Sequence, residues 1–162
     1  MRILVVSDSH GYNGYLEDVI DTIGKIDMVI HCGDADGAEN YIRDRLYTSA
    51  VVVVAGNNDY YSNLKQEAFF DIEGKKIFVT HGHRYQVNSG VDYVVSAAKS
   101  RGADIVMFGH THIPMMEKID GITVLNPGSI SLPRQQGRRP SYIIIETDNA
   151  GNMRYTMNFI KR

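Results

Sequence analysis

The sequence predicts an α/β fold in which two β-sheets pack face to face with helices on the outside. Three observations carry that expectation. Short apolar, β-branched runs recur along the chain and alternate with helical periodicity over its first two-thirds. The last third instead carries paired strand signals around tight turns. Two packed layers of sheet satisfy both halves at once.

Ile3–Val6 is wholly apolar and reads as a strand buried on both faces. Asn13 is placed to cap a helix with apolar positions Leu16, Val19, Ile20 and Ile23 and a stop at Gly24. Met28–Ile30 is the second strand. Gly37–Tyr47 gives a second helix, with Ala38, Tyr41, Ile42 and Leu46 on one face. Ala50–Ala55 is the third strand, and residues 60–66 carry no pattern. Ala68–Ile72 and Lys76–Thr80 flank Glu73-Gly74-Lys75 as a hairpin. Ser89 is expected to cap a third helix with Val91, Val94, Val95 and Ala98 inward and Gly102 beyond its end. Ile105–Phe108 is another buried strand. Pro114–Ile119 and Ile122–Leu125 surround Asp120-Gly121, a two-residue hairpin signal. Ser141–Thr147 and Met153–Ile160 surround Asp148–Asn152 as a second hairpin.

At 162 residues the chain is expected to form one domain, 1–162, with a sizeable core. A formal charge of −2 offers no basic field for duplex nucleic acid. The apolar run after Met1-Arg2 is too short for a signal-peptide core or a membrane span, so no membrane association is expected. Cys32 is the single cysteine, which fits a reducing cytoplasm and reads as inert core. Self-association is left open by the composition.

Five apolar runs deliver metal-binding residue types at their C-terminal ends. They yield Asp8 and His10, then Asp34, Asn57, His81, and finally His110 and His112, with successive ends roughly 23–29 residues apart. Ligands bind outside the carboxyl ends of strands in α/β sheets, so these ends are expected to converge. Asp-x-His alone is a weak signal, but five such placements are not chance. Seven ligands serve two divalent cations if one carboxylate bridges, and Asp34 is central enough to do so. Two cations and two carboxylates leave a formal charge that attracts phosphate. Oxygen and imidazole donors without thiolate fit Mn, Fe, Co, Zn or Ni. A water bridging two such ions has its pKa lowered toward roughly 7, giving a hydroxide able to attack phosphorus in line. Gly33, Gly56, Gly82 and Gly109, each beside a ligand, allow close backbone approach. His31 lies within its strand and reads as structural. His83 follows Gly82 and either faces the substrate or hydrogen-bonds a neighbouring loop.

Asp8-Ser9-His10, Gly33-Asp34, Gly56-Asn57-Asn58-Asp59, His81-Gly82-His83 and Gly109-His110-Thr111-His112 resemble the five-motif signature of calcineurin-like metallophosphoesterases. The short length, Asn126-Pro127-Gly128-Ser129 and the following Pro133-Arg134 look like the small YfcE-type phosphodiesterase branch. The resemblance covers almost the whole chain. It implies a four-layer αββα sandwich of two mixed β-sheets with flanking helices, the metallo-dependent phosphatase fold. It also implies that Asp8, His10, Asp34 and His112 hold one metal, and Asp34, Asn57, His81 and His110 the other, manganese being the first expectation. The implied activity is hydrolysis of a small phosphodiester by a metal-bridging hydroxide.

One position departs from the family. Many relatives carry His after the ligand Asn as general acid, and here that residue is Asn58, which cannot usefully donate a proton. His83 is then the catalytic candidate, and Asn58 and Arg134 are candidate phosphate contacts; a solvated loop arginine is the equal alternative for Arg134. The other readings are a phosphomonoesterase or nucleotide pyrophosphatase, and a non-catalytic interaction module like the small retromer subunit. A scaffold has no physical need for seven clustered ligands, which favours the enzyme.

Overall fold

The computed structural model describes residues 1–148 and 150–161; Asn149, inside the expected Asp148–Asn152 turn, and the terminal Arg162 lie outside the described residues. The chain runs β1 (Arg2–Val6), α1 (Gly14–Ile23), β2 (Met28–His31), α2 (Ala38–Arg45), β3 (Ala50–Val53), β4 (Glu67–Ile72) and β5 (Lys75–Thr80). Two short 3-10 turns, His83–Tyr85 and Val87–Ser89, lead into α3 (Asp92–Ser100). Then come β6 (Ile105–Met107), β7 (Met115–Ile119), β8 (Ile122–Asn126), β9 (Ser141–Thr147) and β10 (Met153–Phe159).

These strands form two mixed five-stranded sheets, ordered β10-β9-β1-β2-β3 and β4-β5-β6-β8-β7. Each has three parallel strands, β1-β2-β3 and β5-β6-β8, with antiparallel strands beside them. The last third of the chain does not make a sheet of its own. The β7-β8 hairpin completes the second sheet, and β9-β10 crosses back beside β1.

Alternation along the strands sets the layers. Ile3 and Val5 of β1 point between the sheets, where they meet Ile30, Ile77, Val79, Ile105, Met107, Ile143 and Ile145. Leu4 and Val6 point the other way, onto Leu16, Val19 and Ile20 of α1 and Ile42 of α2. On the second sheet Phe78, Val106 and Val124 face Val94, Val95 and Ala98 of α3. The result is the helix–sheet–sheet–helix sandwich that the pattern predicts. Cys32 lies in the central layer, and burial pushes its thiol well above the usual range.

Local departures have local causes. Asn13 stands at the N-cap of α1 but its own backbone is helical, and its side chain makes no capping bond. Ser89 does not cap α3. Its N–H closes the 3-10 turn onto the Gln86 carbonyl at 2.8 Å, Gly90 turns the chain at φ 133°, and Val91 takes the cap position. Helix α2 is shorter than expected, bounded by left-handed Gly37 and non-helical Leu46. Strand β3 stops at Val53; Val54 instead bridges Lys65. Lys75 pairs with Ile72, so the first hairpin turns on Glu73 and Gly74 alone, both at positive φ. Asp120-Gly121 turns the β7-β8 hairpin in the same way. No helix among the described residues is long and apolar enough to cross a membrane.

Phe78 is fully buried under α3, meets the Tyr85 ring edge-on at 6.1 Å and lies under the Arg101 guanidinium. Phe78→Ala should cost about 3–5 kcal/mol in urea unfolding. A loss below about 1 kcal/mol would show that α3 does not depend on this contact.

Candidate metal centre

The C-terminal ends of β1, β2 and β3 in one sheet and β5 and β6 in the other meet at one edge of the sandwich. Backbone bonds tie the loops that leave them. Asp8 N–H donates to the Gly33 carbonyl, His10 N–H to that of Asp34, and Gly109 N–H to that of His81, each at 3.0 Å. Five of the seven expected ligands hold positive φ: Asp8 at 54°, His10 at 48°, Asp34 at 52°, His110 at 66° and His112 at 58°. Left-handed backbone at non-glycine residues is costly and clusters at functional sites. Two glycines are required by proximity. A Cβ on Gly56 would lie 2.1 Å from Asp34 Oδ1, and one on Gly109 would lie 2.6 Å from Asp8 Oδ2.

Two donor groups result, Asp8–His10–His112 and Asp8–Asp34–His81. Asp8 Oδ1 lies 3.2 Å from His112 Nε2, 3.8 Å from His81 Nε2 and 4.0 Å from His10 Nε2. Asp34 Oδ2 lies 3.4 Å from His81 Nε2 and 3.7 Å from His10 Nε2. Both carboxylates therefore stand between the two groups. The imidazoles are oriented from behind: His81 Nδ1 donates to the Cys32 carbonyl at 2.7 Å and His112 Nδ1 to that of Leu132 at 2.6 Å. His10 Nδ1 faces Asp36 at 3.5 Å. Each presents Nε2 to the centre, as metal-binding histidines do.

The remaining candidates are arranged around this core. Asn57 Oδ1 and His83 Nδ1 are buried without a hydrogen-bond partner. The His110 ring lies 5.1 Å from His81 and 6.0 Å from His83, and Asn88 Nδ2 donates to its Nε2 at 2.9 Å. Asn58 grips Asp34 twice, backbone N–H to Oδ1 at 2.8 Å and Nδ2 to Oδ2 at 2.7 Å. Arg134 has an exposed side chain, and its backbone N–H donates to the His112 carbonyl at 3.1 Å. His31 is structural: its Nδ1 accepts from Gly33 N–H and its Nε2 donates to Ser9 Oγ. Burial depresses its pKa to about 4.

Charge explains what such a cluster needs. Burial pushes both aspartates toward neutrality, but His112 and His81 beside Asp8, and His81 and Asn58 beside Asp34, outweigh it and hold both carboxyls below the usual range. Burial lowers the His81 pKa, yet Asp34 and Asp8 raise it further. Burial and the neighbouring His81 depress His83 and His110. Among the described residues the two buried anions have imidazoles beside them and no Lys or Arg. Asp8 Oδ1, His81 Nε2 and Asn57 Oδ1 are all buried without hydrogen-bond partners. Buried polar atoms of this kind are expensive unless something else satisfies them. Divalent cations fit this donor set of carboxylate, imidazole and amide oxygen.

Several supporting residues went unassigned in the sequence. Ser129 and Ser131 both donate to the Asp8 carbonyl, at 2.7 and 2.9 Å, and fix its left-handed turn. Asn126 Nδ2 donates to the Gly109 carbonyl and to Thr111 Oγ1, each at 3.0 Å. Asn126 and Ser129 sit in the Asn126–Ser129 segment, which the sequence marks only by resemblance. Asp59, at the end of Gly56-Asn57-Asn58-Asp59, is buried with its carboxylate against backbone N–H groups.

The family model of the calcineurin-like phosphoesterase superfamily domain matches residues 1–150. A probable metallophosphoesterase of Bacillus subtilis, YsnB, is 38% identical over 154 residues, covering 92% of this chain and 86% of its own length. A predicted phosphoesterase from Streptococcus pneumoniae TIGR4 superposes with TM-score 0.78 at 30% identity, over 97% of each chain. Vps29 of Entamoeba histolytica complexed with zinc superposes with TM-score 0.76 at 25% identity, over 98% of this chain and 99% of that one.

The neutral, buried His31 makes stability fall with acid. Its folded pKa, about 4, lies below the unfolded value near 6.5, so the unfolded chain takes up a proton that the folded one refuses. Stability is full above about pH 6.5 and declines below it, by about 2 kcal/mol at pH 5. In chelator, the loss of stability between pH 7 and pH 5 should be smaller by about 2 kcal/mol in His31→Gln than in wild type. Parallel curves for the two proteins would contradict a neutral His31.

Proposed function

Because the chain belongs to the calcineurin-like phosphoesterase superfamily and is a metal-dependent phosphoric ester hydrolase, we propose that it hydrolyses small phosphodiesters with two divalent ions. The observation that carries this reading is the pair of buried, ionised carboxylates between two histidine groups. Asp8, His10, Asp34 and His112 would hold one ion, and Asp34, Asn57, His81 and His110 the other, with Asp34 as the bridge. Asp34 Oδ2 lies within 3.7 Å of Nε2 on both His10 and His81, which supports that bridge. When bound, the ions supply Lewis acidity and a hydroxide nucleophile near neutral pH. The chain's own residues orient the donors through carbonyls behind the imidazoles and exclude water from both aspartates. Asn58, at the open side of Asp34, and His83, with its free Nδ1, are the phosphate contacts nearest the donors. Arg134 is kept as a further phosphate contact, by its place beside His112.

A phosphodiesterase of Methanocaldococcus jannaschii, 28% identical over 144 residues, supports a diester over a monoester or a nucleotide pyrophosphate. Manganese is the first expectation, with iron, nickel, cobalt and zinc as alternatives. The single buried Cys32 supports a reducing cytoplasm, and one domain over 1–162 accounts for the whole chain. The likeness to Vps29 fits a scaffold instead, but the complete donor set outweighs it.

Purified protein should bind two ions per chain and turn over a chromogenic nitrophenyl phosphodiester with Mn²⁺. Asp34→Asn should abolish turnover and lower metal content at both sites. Wild type without metal or turnover on any divalent ion would favour the scaffold, and two tightly held ions in Asp34→Asn would refute the bridge.

Leaving-group dependence tests the missing acid at position 58. A general acid typically contributes ~10²–10⁴-fold, and most for alkoxide leaving groups. Nitrophenyl esters should therefore be strongly preferred over alkyl ones. Asn58→His should raise the rate on alkyl esters more than on nitrophenyl esters, and His83→Ala, with His83 as the substitute acid, should lower it more on alkyl esters. Equal slopes against leaving-group pKa in all three proteins would exclude protonation as the limiting weakness.

A further inference from the structure

We infer that Asp59 is the positioning residue that locks two donor loops together, and that Asp36 relays this lock to His10 on a third. The inference rests on the two-ion reading of the site but assigns roles to residues that hold no ion in it. Asp59 is 8% exposed and accepts three backbone N–H groups. Its Oδ2 takes Gly56 at 2.8 Å and Ala35 at 3.2 Å, and its Oδ1 takes Asp36 at 2.9 Å. Gly56 begins the loop that carries Asn57, while Ala35 and Asp36 follow Asp34. One carboxylate therefore fixes how far Asn57 stands from Asp34. Hydrogen bonds from N–H to an ionised carboxylate are among the stronger ones available.

The lock extends further. The Asp36 backbone is held by Asp59 in a left-handed conformation at φ 45°, which aims its carboxylate at His10 Nδ1, 3.5 Å away. His10 Nε2 then faces Asp8 and Asp34. A carboxylate behind a ligating histidine fixes its ring and strengthens it as a donor, and losing such a partner typically costs about 10–100-fold in metal affinity. Asp59 thus reaches both expected ion sites, Asn57 directly and His10 through Asp36. Asp36 reaches only the site of His10.

That asymmetry gives the test. Asp59→Asn replaces an oxygen that accepts N–H groups with an amide that opposes them. Mn²⁺ titration by calorimetry, with the fold checked by circular dichroism, should show both sites weakened by about 10–100-fold in Asp59→Asn. Asp36→Asn, at a half-exposed side chain that does not threaten folding, should weaken one site by at least about 10-fold and leave the other unchanged. A folded Asp59→Asn with both affinities within about twofold of wild type would overturn the lock. Equal weakening of both sites in Asp36→Asn, or none, would overturn the relay. Should Asp59→Asn not fold, the Asp36→Asn result alone decides the relay. Mn²⁺ calorimetry of Asp59→Ser, whose side chain is too short to reach all three N–H groups, then decides the lock: a folded variant with affinities kept would overturn it. Wild type that takes up no Mn²⁺ would instead remove the two-ion reading itself, a separate outcome.

Discussion

Two aspartates kept ionised inside the protein are the constraint on which the rest depends. Asp8 is fully buried and Asp34 nearly so, and neither has a Lys or Arg beside it among the described residues. An isolated buried carboxylate would neutralise itself. Here imidazoles and N–H groups keep the charge in place, so the cluster is an anionic socket whose donors fit a cation. The chain commits its hydrogen-bonding capacity to preserving that charge. Asn58 gives its backbone N–H and one amide N–H to Asp34, and His110 and Asp8 are joined through the His110 backbone N–H at 3.1 Å.

The sandwich is what allows such a socket to form. A single sheet would present its strand ends in a row. Two sheets packed face to face bring the ends of β1 and β2 opposite those of β5 and β6, so donors approach from two sides. The central layer of Ile, Val and Met side chains holds the sheets at fixed spacing. That rigidity offsets local strain. Each left-handed non-glycine residue costs about 1 kcal/mol or more, and five of the expected ligands adopt that conformation. Together they are comparable to the net stability of an ordinary domain, roughly 5–15 kcal/mol. They persist because Ser129, Ser131, Asn126 and Asp59 hydrogen-bond the loops in which they sit.

Both kinds of information had different visibility in the sequence. The layers were legible because period-2 and period-3.6 patterns report directly on burial: Leu4 and Val6 against Ile3 and Val5, Leu16 with Val19 and Ile20. The donors were legible because Asp, Asn and His recur at strand ends. Helix caps were not. Ser89 and Asn13 are good cap residues by type, but glycine turns and backbone angles decided otherwise. The roles of the supporting residues were not legible for a related reason. Asp59 and Ser129 act on backbone groups distant in sequence, and no spacing rule encodes an N–H group 24 residues away.

Position 58 shows how the two layers of the site interact. The side-chain amide there does more than fill the place of a proton donor, because its Nδ2 and the backbone N–H of the same residue together clasp Asp34. The backbone bond survives any substitution except proline, whereas the side-chain bond does not. A protonated imidazole at that position would carry two N–H groups, one for Asp34 and one for a departing oxygen, whereas the amide offers Asp34 a hydrogen bond and no transferable proton. In this chain the residue at position 58 therefore serves to hold the carboxylate. That choice suits a site in which the aspartate between the two histidine groups is the element everything else is built to hold.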